Sequence, residues 1–525
     1  MSFPYKSFRD WFNDEEKMGN VIRIKKPTKC GDYSNIVDIG NNIPGKIPDT
    51  EMRAIARYLH SLPNKPMALI ENPVCNRPDI PIVINPFPTR ERVYEGMGVH
   101  NREELAQKFL NMYRHRVKPT MVPKAKAACK EVIISPGKVD QMKDIPRIWV
   151  EFNQCLWTGS NGTWVTYDPE TKTNGLAKTR WGQIDRLNIN QEWSKKPDDQ
   201  ILNGVRELGF CTVARKYRPI QGNAGRFFYD NYRLKNKPMP CAFIYGVSPD
   251  IHVAAAVKSL QWPITGDEYE IVGSFRGQPL EVVEAETIPG MLVPADAEWV
   301  IEGEMLPEDY VTPPFGEDVG MGVMIGDAHW PMFRVKCITH RKNPWWSDAT
   351  FSSSGMNGHL GTHTGLVQAA GETDALNYLR GAGYLVKDLV THGGLNISVI
   401  QMAVDGDQKP VEDYGKKAAL TTAGSLRLQF GLFATIVVGP DIDPYDAEDI
   451  LWAVAVRGKF TQSVNANTPF FMGPTIDALM ATPMLEQMTM KMTHKPGFTP
   501  TGVIVRTDPA QWERDAIKRI KEKYF

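Results

Sequence analysis

A change of rhythm partway along the chain constrains its fold more than any other feature. From Val132 to about Met324, short apolar runs alternate with Gly, Pro and Asp turns. The runs are Val132-Ile-Ile134, Trp164-Val-Thr-Tyr167, Cys241-Ala-Phe-Ile-Tyr245, Leu280-Glu-Val-Val-Glu284 and Trp299-Val-Ile-Glu302. Runs this short fit strands rather than helices, and their frequency predicts a β-barrel-like domain. One predicted helix, about Val253–Leu260, interrupts it. Past Phe333-Arg-Val-Lys-Cys-Ile338 the pattern lengthens. Glu372–Leu385, Lys409–Leu420 and Ala447–Val456 read as helices, and Ile397–Ala403 and Thr435–Val438 as buried strands, so an α/β domain follows.

Ahead of the strand-rich stretch, Phe3 to about Asn111 mixes both kinds of element. Ser7 opens a helix, Val21–Ile24 reads as a strand, Thr50 is placed to cap a helix Glu51–Leu62, and Asn101 to cap one ending near Met112. Met67–Ile70 and Ile80–Ile84 are strand candidates, and Val117–Pro123 is a Pro-punctuated linker. Asp508-Pro509 starts a terminal helix with Trp512, Ile517 and Ile520 on one side.

At 525 residues, more than one domain is expected. Lys plus Arg and Asp plus Glu both number 61, which gives no bulk electrostatic case for nucleic acid or an anionic membrane surface. No stretch approaches the roughly 18 uninterrupted apolar residues of a membrane span. The first residues lack an apolar signal core. The seven cysteines are scattered and never spaced Cys-x-x-Cys. Together these predict a cytoplasmic protein with reduced thiols and no structural zinc or iron–sulfur site.

The stretch with most chemical content is Thr312-Pro-Pro-Phe-Gly-Glu317, followed by Asp318-Val-Gly-Met-Gly322. Two prolines fix successive φ angles and Gly316 permits a tight turn, so Glu317 sits on a stiff loop. A positioned carboxylate is what proton transfer to carbon needs. On these six residues alone, a surface turn with a solvated Glu is the simpler reading.

The wider context reverses it. The segment resembles the Glu-Gly-Pro-Phe-Gly-Glu signature of the UbiD family of reversible (de)carboxylases, which use prenylated FMN. The resemblance runs from about residue 120 to 460, in the family's order. It includes Asp144-Ile-Pro-Arg147, Asp168-Pro-Glu-Thr171, Asn236-Lys-Pro-Met-Pro240, Gly266-Asp-Glu-Tyr-Glu-Ile-Val-Gly273, Ile338-Thr-His-Arg-Lys-Asn343 and Val438-Gly-Pro-Asp-Ile-Asp443. It implies an α/β + β fold in three parts: an N-terminal α/β domain (1–118), a flavin-reductase-like split β-barrel that binds cofactor (119–330), and a C-terminal α/β domain (331–500). A tail helix for oligomerisation (501–525) follows.

The resemblance also assigns site residues. Glu317 is the proton donor and acceptor. Arg180, counted from Asp168-Pro-Glu-Thr171, holds a carboxylate or CO₂; Lys178 takes that role if the count is offset. Family members hold the flavin phosphate through a divalent ion (Mn²⁺ or Mg²⁺) bound by an Asn, a His and a Glu, beside a monovalent site for K⁺. Here Glu268 matches the Glu and is the one metal ligand carried over. Asn174 falls one residue early. Phe227, after Arg226, occupies the His place, and Lys258-Ser259 stands at the monovalent site. Arg427 matches a basic residue near the phosphate. Thr312 replaces the first Glu of the signature, which shortens the proton relay. These departures predict that the phosphate is held with little dependence on Mn²⁺ or Mg²⁺, and they leave K⁺ open.

The implied reaction is reversible carboxylation or decarboxylation of an aromatic substrate, nearest to carboxylases of anaerobic arene degradation. Its implied partners are CO₂, a flavin prenyltransferase that supplies the cofactor, and other subunits in a homo- or hetero-oligomer. The alternative is a catalytically degenerate structural subunit of a hetero-oligomeric carboxylase. Three further features bear on the site. His359 and His363 have i, i+4 spacing, but Gly358 and Gly361 oppose a regular helix there. A Met tract from Met480 to Met492 suits core, an interface or an apolar lid. Trp345-Trp346 is read as support for a flat aromatic substrate.

Overall fold

The computed structural model describes residues 3–38, 46–148, 157–159, 162–178, 181–183, 207–211, 222–257, 262–312, 315–317, 323–325, 328–347, 364–392, 397–404, 418, 434–457, 459–461, 475–478 and 511–525. Helix α1 (Phe8–Lys17) begins where Ser7 and Asp10 cap each other. The Asp10 N–H donates to the Ser7 hydroxyl at 3.3 Å, and the Ser7 N–H donates to the Asp10 carboxylate at 2.9 Å. Phe8, Trp11, Phe12 and Glu15 fall on one face and are buried. They pack with Met67, Leu69 and Val83 on one side of a four-stranded sheet, ordered Val21–Ile24, Met67–Ile70, Ile82–Ile84, Trp346–Ser347. Helix α2 (Met52–Ser61) packs Met52, Ile55 and Leu59 with Ala68, Ile70 and Ile82, from the sheet's other side.

Asn101 caps its helix as expected, accepting the Glu104 N–H at 3.0 Å. Thr50 does not cap α2. Thr50 ends a strand, Lys46–Thr50, and Glu51 holds the N-cap position without a side-chain cap bond. The Glu51 carboxylate is used elsewhere, accepting the Lys29 N–H at 2.9 Å and the Tyr524 hydroxyl at 2.7 Å. The tryptophan pair also differs from expectation. Trp346 is a strand residue stacked on Tyr245 at 4.5 Å, and Trp345 packs against Phe12 at 5.0 Å. Both rings build core.

The strand-rich region forms a nine-stranded sheet: β1 (Val132–Ile134), β2 (Trp157–Gly159), β3 (Thr163–Asp168), β4 (Thr173–Lys178), β5 (Trp181–Gln183), β6 (Leu208–Cys211), β7 (Met239–Tyr245), β8 (Trp299–Thr312) and β9 (Ala328–His340). Its order is β4-β3-β7-β8-β9-β6-β5-β2, with β1 paired to β9. The predicted run Leu280–Glu284 is not part of it; Glu281–Glu284 pairs with Leu292–Pro294 and Thr120–Met121 in a small separate sheet.

Strand β8 runs far beyond the short segment the sequence suggested. Its pairing with β9 shifts register between Glu302 and Gly303 and again between Met305 and Asp309. Such bulges bend a long ribbon. At Gly303 a Cβ would lie 2.0 Å from the Arg334 carbonyl oxygen, so only glycine fits. The bend lets the sheet roll. Strand β4 lies at one end of the strand order and β5 next to the other end, yet only residues 179–180 join them. Three Cα steps allow at most about 11 Å between Lys178 and Trp181. The two ends must therefore approach, and a barrel-like sheet with a seam at 178–181 follows from chain connectivity.

Helices α3 (Gly222–Asn231), α4 (Pro249–Ala256) and α5 (Glu268–Arg276) belong to this region. Pro249 at the first turn starts α4 earlier than the apolar pattern alone indicated. Helix α6 (Thr364–Gly381) likewise starts before Glu372 and ends before Gly383, whose φ is +89°. It leads to a five-stranded sheet ordered Val386–His392, Ile397–Met402, Ala434–Val438, Thr475–Ala478, Lys459–Thr461, whose two central pairings are parallel. That is the expected α/β pattern, with helix Ala447–Arg457 as foreseen. The predicted helix Lys409–Leu420 lies outside the described residues apart from Ala418. His359, His363 and the Met tract also lie outside them.

Helix α7 (Gln511–Tyr524) packs on α2 of the same chain. Ile520 is buried, Lys523 pairs with Glu51 at 2.9 Å, and the Phe525 and Tyr58 rings lie 4.5 Å apart. Among the described residues no helix is long and apolar enough to cross a membrane.

Candidate functional site

Strand β4 lies at the outside of the rolled sheet, so alternate N–H groups point away from β3. An open edge of this kind invites pairing with another strand. Here the start of α5 covers it. Asp267 accepts the Asn174 N–H at 2.7 Å, and Glu268 accepts the Leu176 N–H. Asp267 is also the N-cap of α5, accepting the Tyr269 N–H at 2.8 Å. Burial pushes the Asp267 carboxyl upward, and its hydrogen bonds from Asn174 offset this only in part. Glu268 is buried, not the exposed helix-end Glu its position alone would suggest.

Asn174, Leu176 and Lys178 share one face of β4, by the two-residue period of a strand. The Asn174 amide donates to Asp267 at 2.8 Å and its oxygen accepts the Leu292 N–H at 2.9 Å. Lys178 is not a solvated strand cation; it is 9% exposed. Its Nζ lies 3.0 Å from Nδ1 of His252, which is fully buried on α4. The Thr163 hydroxyl lies 3.5 Å from the same Nδ1. Phe87 meets the imidazole edge-on at 5.2 Å.

On the opposite face, Gly175 makes room for Trp262. A Cβ at 175 would sit 2.5 Å from the indole ring and 2.7 Å from the Thr166 hydroxyl. The indole cannot bend away, so Gly175→Ala is expected to cost about 1–3 kcal/mol through overpacking. Thermal unfolding of the variant checks this; an unchanged midpoint would show that Trp262 has room to move. Phe227 packs edge-on against Trp262 at 4.6 Å and near Tyr232 at 5.8 Å. Its neighbour Arg226 has a 77% exposed side chain, 3.4 Å from Asp230.

Two ligand groups can be tested against this arrangement. A divalent ion needs several hard donors converging on one point. Among the described residues no group of three or more His, Cys, Asp or Glu could hold one. Asn174 and Glu268 each commit an oxygen to a backbone N–H, and Phe227 is a hydrocarbon in the core. These residues do not fit a metal. A phosphate-bearing cofactor fits better. Trp262 Nε1 and Thr265 Oγ1 are buried donors with no hydrogen-bond partner among the described residues. Both lie on the segment leading into the N-terminus of α5, where helix dipole and N–H groups favour anions.

Thr312 is the last residue of β8. Glu317 ends a short strand, Phe315–Glu317, whose partner is Val323–Ile325, with Glu317 opposite Val323. Gly316 is thus a strand residue opposite Met324 rather than the tight turn expected from the sequence, and Pro313 and Pro314 lie outside the described residues. Arg180, Lys258, Ser259 and Arg427 lie outside the described residues. Sequence reasoning overlooked His252 and Asp267. One signal was available for His252: a lone histidine in the otherwise apolar helix run Ile251-His-Val-Ala-Ala-Ala256.

Comparison with known proteins gives this geometry a family. Residues 47–110 match the 3-octaprenyl-4-hydroxybenzoate carboxy-lyase N-terminal domain, and residues 217–354 match the Rift-related domain of the same carboxy-lyase. A protein of Aquifex aeolicus is 24% identical over 66% of this chain and 64% of its own length. The phenolic acid decarboxylase of Sedimentibacter hydroxybenzoicus is 22% identical over 87% of this chain and 85% of its own. The fold resembles an evolved dimeric form of the UbiD-class enzyme HmfF from Pelotomaculum thermopropionicum, solved in complex with prFMN. The TM-score is 0.70 at 21% identity, covering 93% of this chain and 97% of that one. It equally resembles the closed form of Sedimentibacter hydroxybenzoicus vanillic acid decarboxylase, with TM-score 0.70 at 19% identity over 99% and 98% of the two chains. Two domains of the UbiD carboxy-lyase family therefore lie in order along this chain, at residues 47–110 and 217–354, within a fold shared with UbiD-class structures.

Proposed function

We propose that this protein is a prenylated-FMN-dependent carboxylase/decarboxylase of an aromatic acid. The observation that carries the reading is the buried polar cluster at the edge of β4. Lys178 meets His252 at the end of β4, Asp267 and Glu268 cover the N–H groups of the same strand's edge, and Trp262 and Thr265, on the segment leading into α5, carry buried donors with no partner among the described residues. Relatives of the same fold are named for phenolic and vanillic acid decarboxylation, and one was solved with prFMN.

Trp262, Thr265, Glu268 and, from the sequence match, Lys258, Ser259 and Arg427 would hold the flavin. When bound, the prenylated flavin would supply the reactive carbon centre for the chemistry at the substrate carbon. The chain's own residues do the rest. Arg180 grips the carboxyl group, bidentately as guanidinium does. Glu317 delivers a proton to the ring carbon as CO₂ leaves, or removes it in the reverse direction. Thr312 leaves the grip more positive than a Glu would, which favours retaining CO₂ or a carboxylate product. That charge balance supports a finer reading, a carboxylase of the anaerobic arene type; its place in the cytoplasm and in a homo- or hetero-oligomer is proposed from the sequence alone.

The test is to mature the protein with a flavin prenyltransferase and follow flavin absorbance and CO₂ exchange with a panel of phenolic acids. Absence of both would leave the structural-subunit reading in its place. The same preparation tests the metal. Flavin should remain bound after chelation, and Lys258→Ala should release it, because a lysine ammonium can neutralise phosphate as a point charge. A stoichiometric divalent ion liganded by Glu268 in elemental analysis would refute this.

A further inference from the structure

We propose that Lys178 is a second carboxylate-binding cation of this site and that His252 is its positioning residue. This rests on the (de)carboxylase reading above and goes beyond it in naming the pair. A lysine ammonium only donates hydrogen bonds, so at 3.0 Å the His252 Nδ1 must accept, and the ring proton sits on Nε2. His252 therefore orients the ammonium without bringing a negative charge to it. The imidazole is itself fixed. It is fully buried on α4, Phe87 packs against it at 5.2 Å, and the Thr163 hydroxyl is 3.5 Å from the same nitrogen. Thr163 is the β3 residue directly opposite Lys178, so strand register holds all three together.

The pair is placed where the reading needs it. Lys178 ends β4 at the seam, and the chain resumes at Trp181 on β5, within about 11 Å. Trp181 is opposite Cys211 of β6. Strand β6 lies on β9 with Phe210 opposite Met332, and β9 carries Pro331 opposite Asp309 and Ala328 opposite Thr312 of β8. Three strand spacings, roughly 14 Å, thus separate β5 from β8. The roll of the sheet brings the Lys178 end of β4 to the side of the barrel from which β8 delivers Thr312 and then the strand bearing Glu317. Along the flat strand order, Lys178 and Thr312 would lie at opposite ends of their strands.

The test uses the full chain matured with prenylated flavin and two probes of one shape, benzoate and benzamide, titrated by flavin fluorescence. Wild-type protein should prefer benzoate. Lys178→Met should lower benzoate affinity about 10- to 100-fold, the scale of a lost charge-assisted contact, and leave benzamide unchanged. Lys178→Arg should restore much of the preference. His252→Phe should weaken the preference, whereas His252→Asn, whose side-chain oxygen can stand near the Nδ1 position, should keep it. A merely structural histidine would lower the unfolding midpoint in both His252 variants and leave the benzoate/benzamide ratio alone. A Lys178→Met protein with the wild-type ratio would overturn the proposal while leaving the functional reading intact. Wild-type protein that binds flavin but does not prefer benzoate would overturn both.

Discussion

Glu317→Gln should leave the fold and flavin content unchanged and cut both turnover and substrate hydrogen–deuterium exchange by roughly 100-fold or more, the scale of a general acid–base group. The amide keeps the shape of the carboxylate and removes only its ability to carry the proton. Placement at the end of a paired hairpin strand, opposite Val323, makes the substitution a clean one, since backbone pairing fixes that position. Thr312, in place of the carboxylate of the family signature, sharpens the expectation. With the relay shortened, Glu317 has fewer neighbours able to take over its task. Exchange measured directly by NMR or mass spectrometry separates proton transfer from CO₂ release. A variant that exchanges at the wild-type rate would remove Glu317 from the mechanism.

The sequence made some of this legible and hid the rest for physical reasons. Short continuous apolar runs at Trp164, Cys241 and Trp299 marked strands because these central strands are buried on both faces. The length of β8 was hidden, because the apolar run stops at Glu302 and the strand continues through Gly303 and the mixed polar and apolar residues up to Asp309, where it bulges. Thr50 looked like a helix cap, yet the strand it ends claims it, a case of tertiary pairing overriding local preference. The motif Asp267-Glu268 was readable as the start of a helix with an acidic ligand. Its partners, the N–H groups of Asn174 and Leu176, lie about ninety residues away in the chain, and pairing over that distance leaves no local trace. Lys178 stood in the sequence only as the alternative to Arg180, and its burial left no local trace for the same reason. Only the packing of α4 against β4 reveals that His252 meets it.

A buried charge cluster on α6 gives the largest stability effect. Glu372 is 1% exposed and accepts hydrogen bonds from Arg90 at 2.7 and 2.6 Å, from Arg102 at 2.6 Å, and from the N–H and hydroxyl of Thr391, each at 2.7 Å. It thereby ties the N-terminal helices Arg90–Gly96 and Arg102–Asn111 to the first strand of the C-terminal sheet. Arg102 also pairs with Asp388 of that strand. Removing Glu372 leaves two largely buried guanidinium groups without their shared carboxylate, so Glu372→Ala should cost about 3–5 kcal/mol. Hydrogen exchange should rise across α6 and residues 386–392, more than in the four-stranded N-terminal sheet. The pH dependence has a definite sign. Burial raises the Glu372 carboxyl, but Arg90 and Arg102 more than offset this and hold it below the usual carboxylate value. A group depressed in the folded state stabilises fully above its unfolded value, about 4.3, and loses that contribution as pH falls through the folded one. The stability gap between wild type and Glu372→Gln should therefore be widest near neutrality and narrow below about pH 4. A gap that stays constant down to pH 3 would mean that the two arginines do not hold this carboxylate ionised.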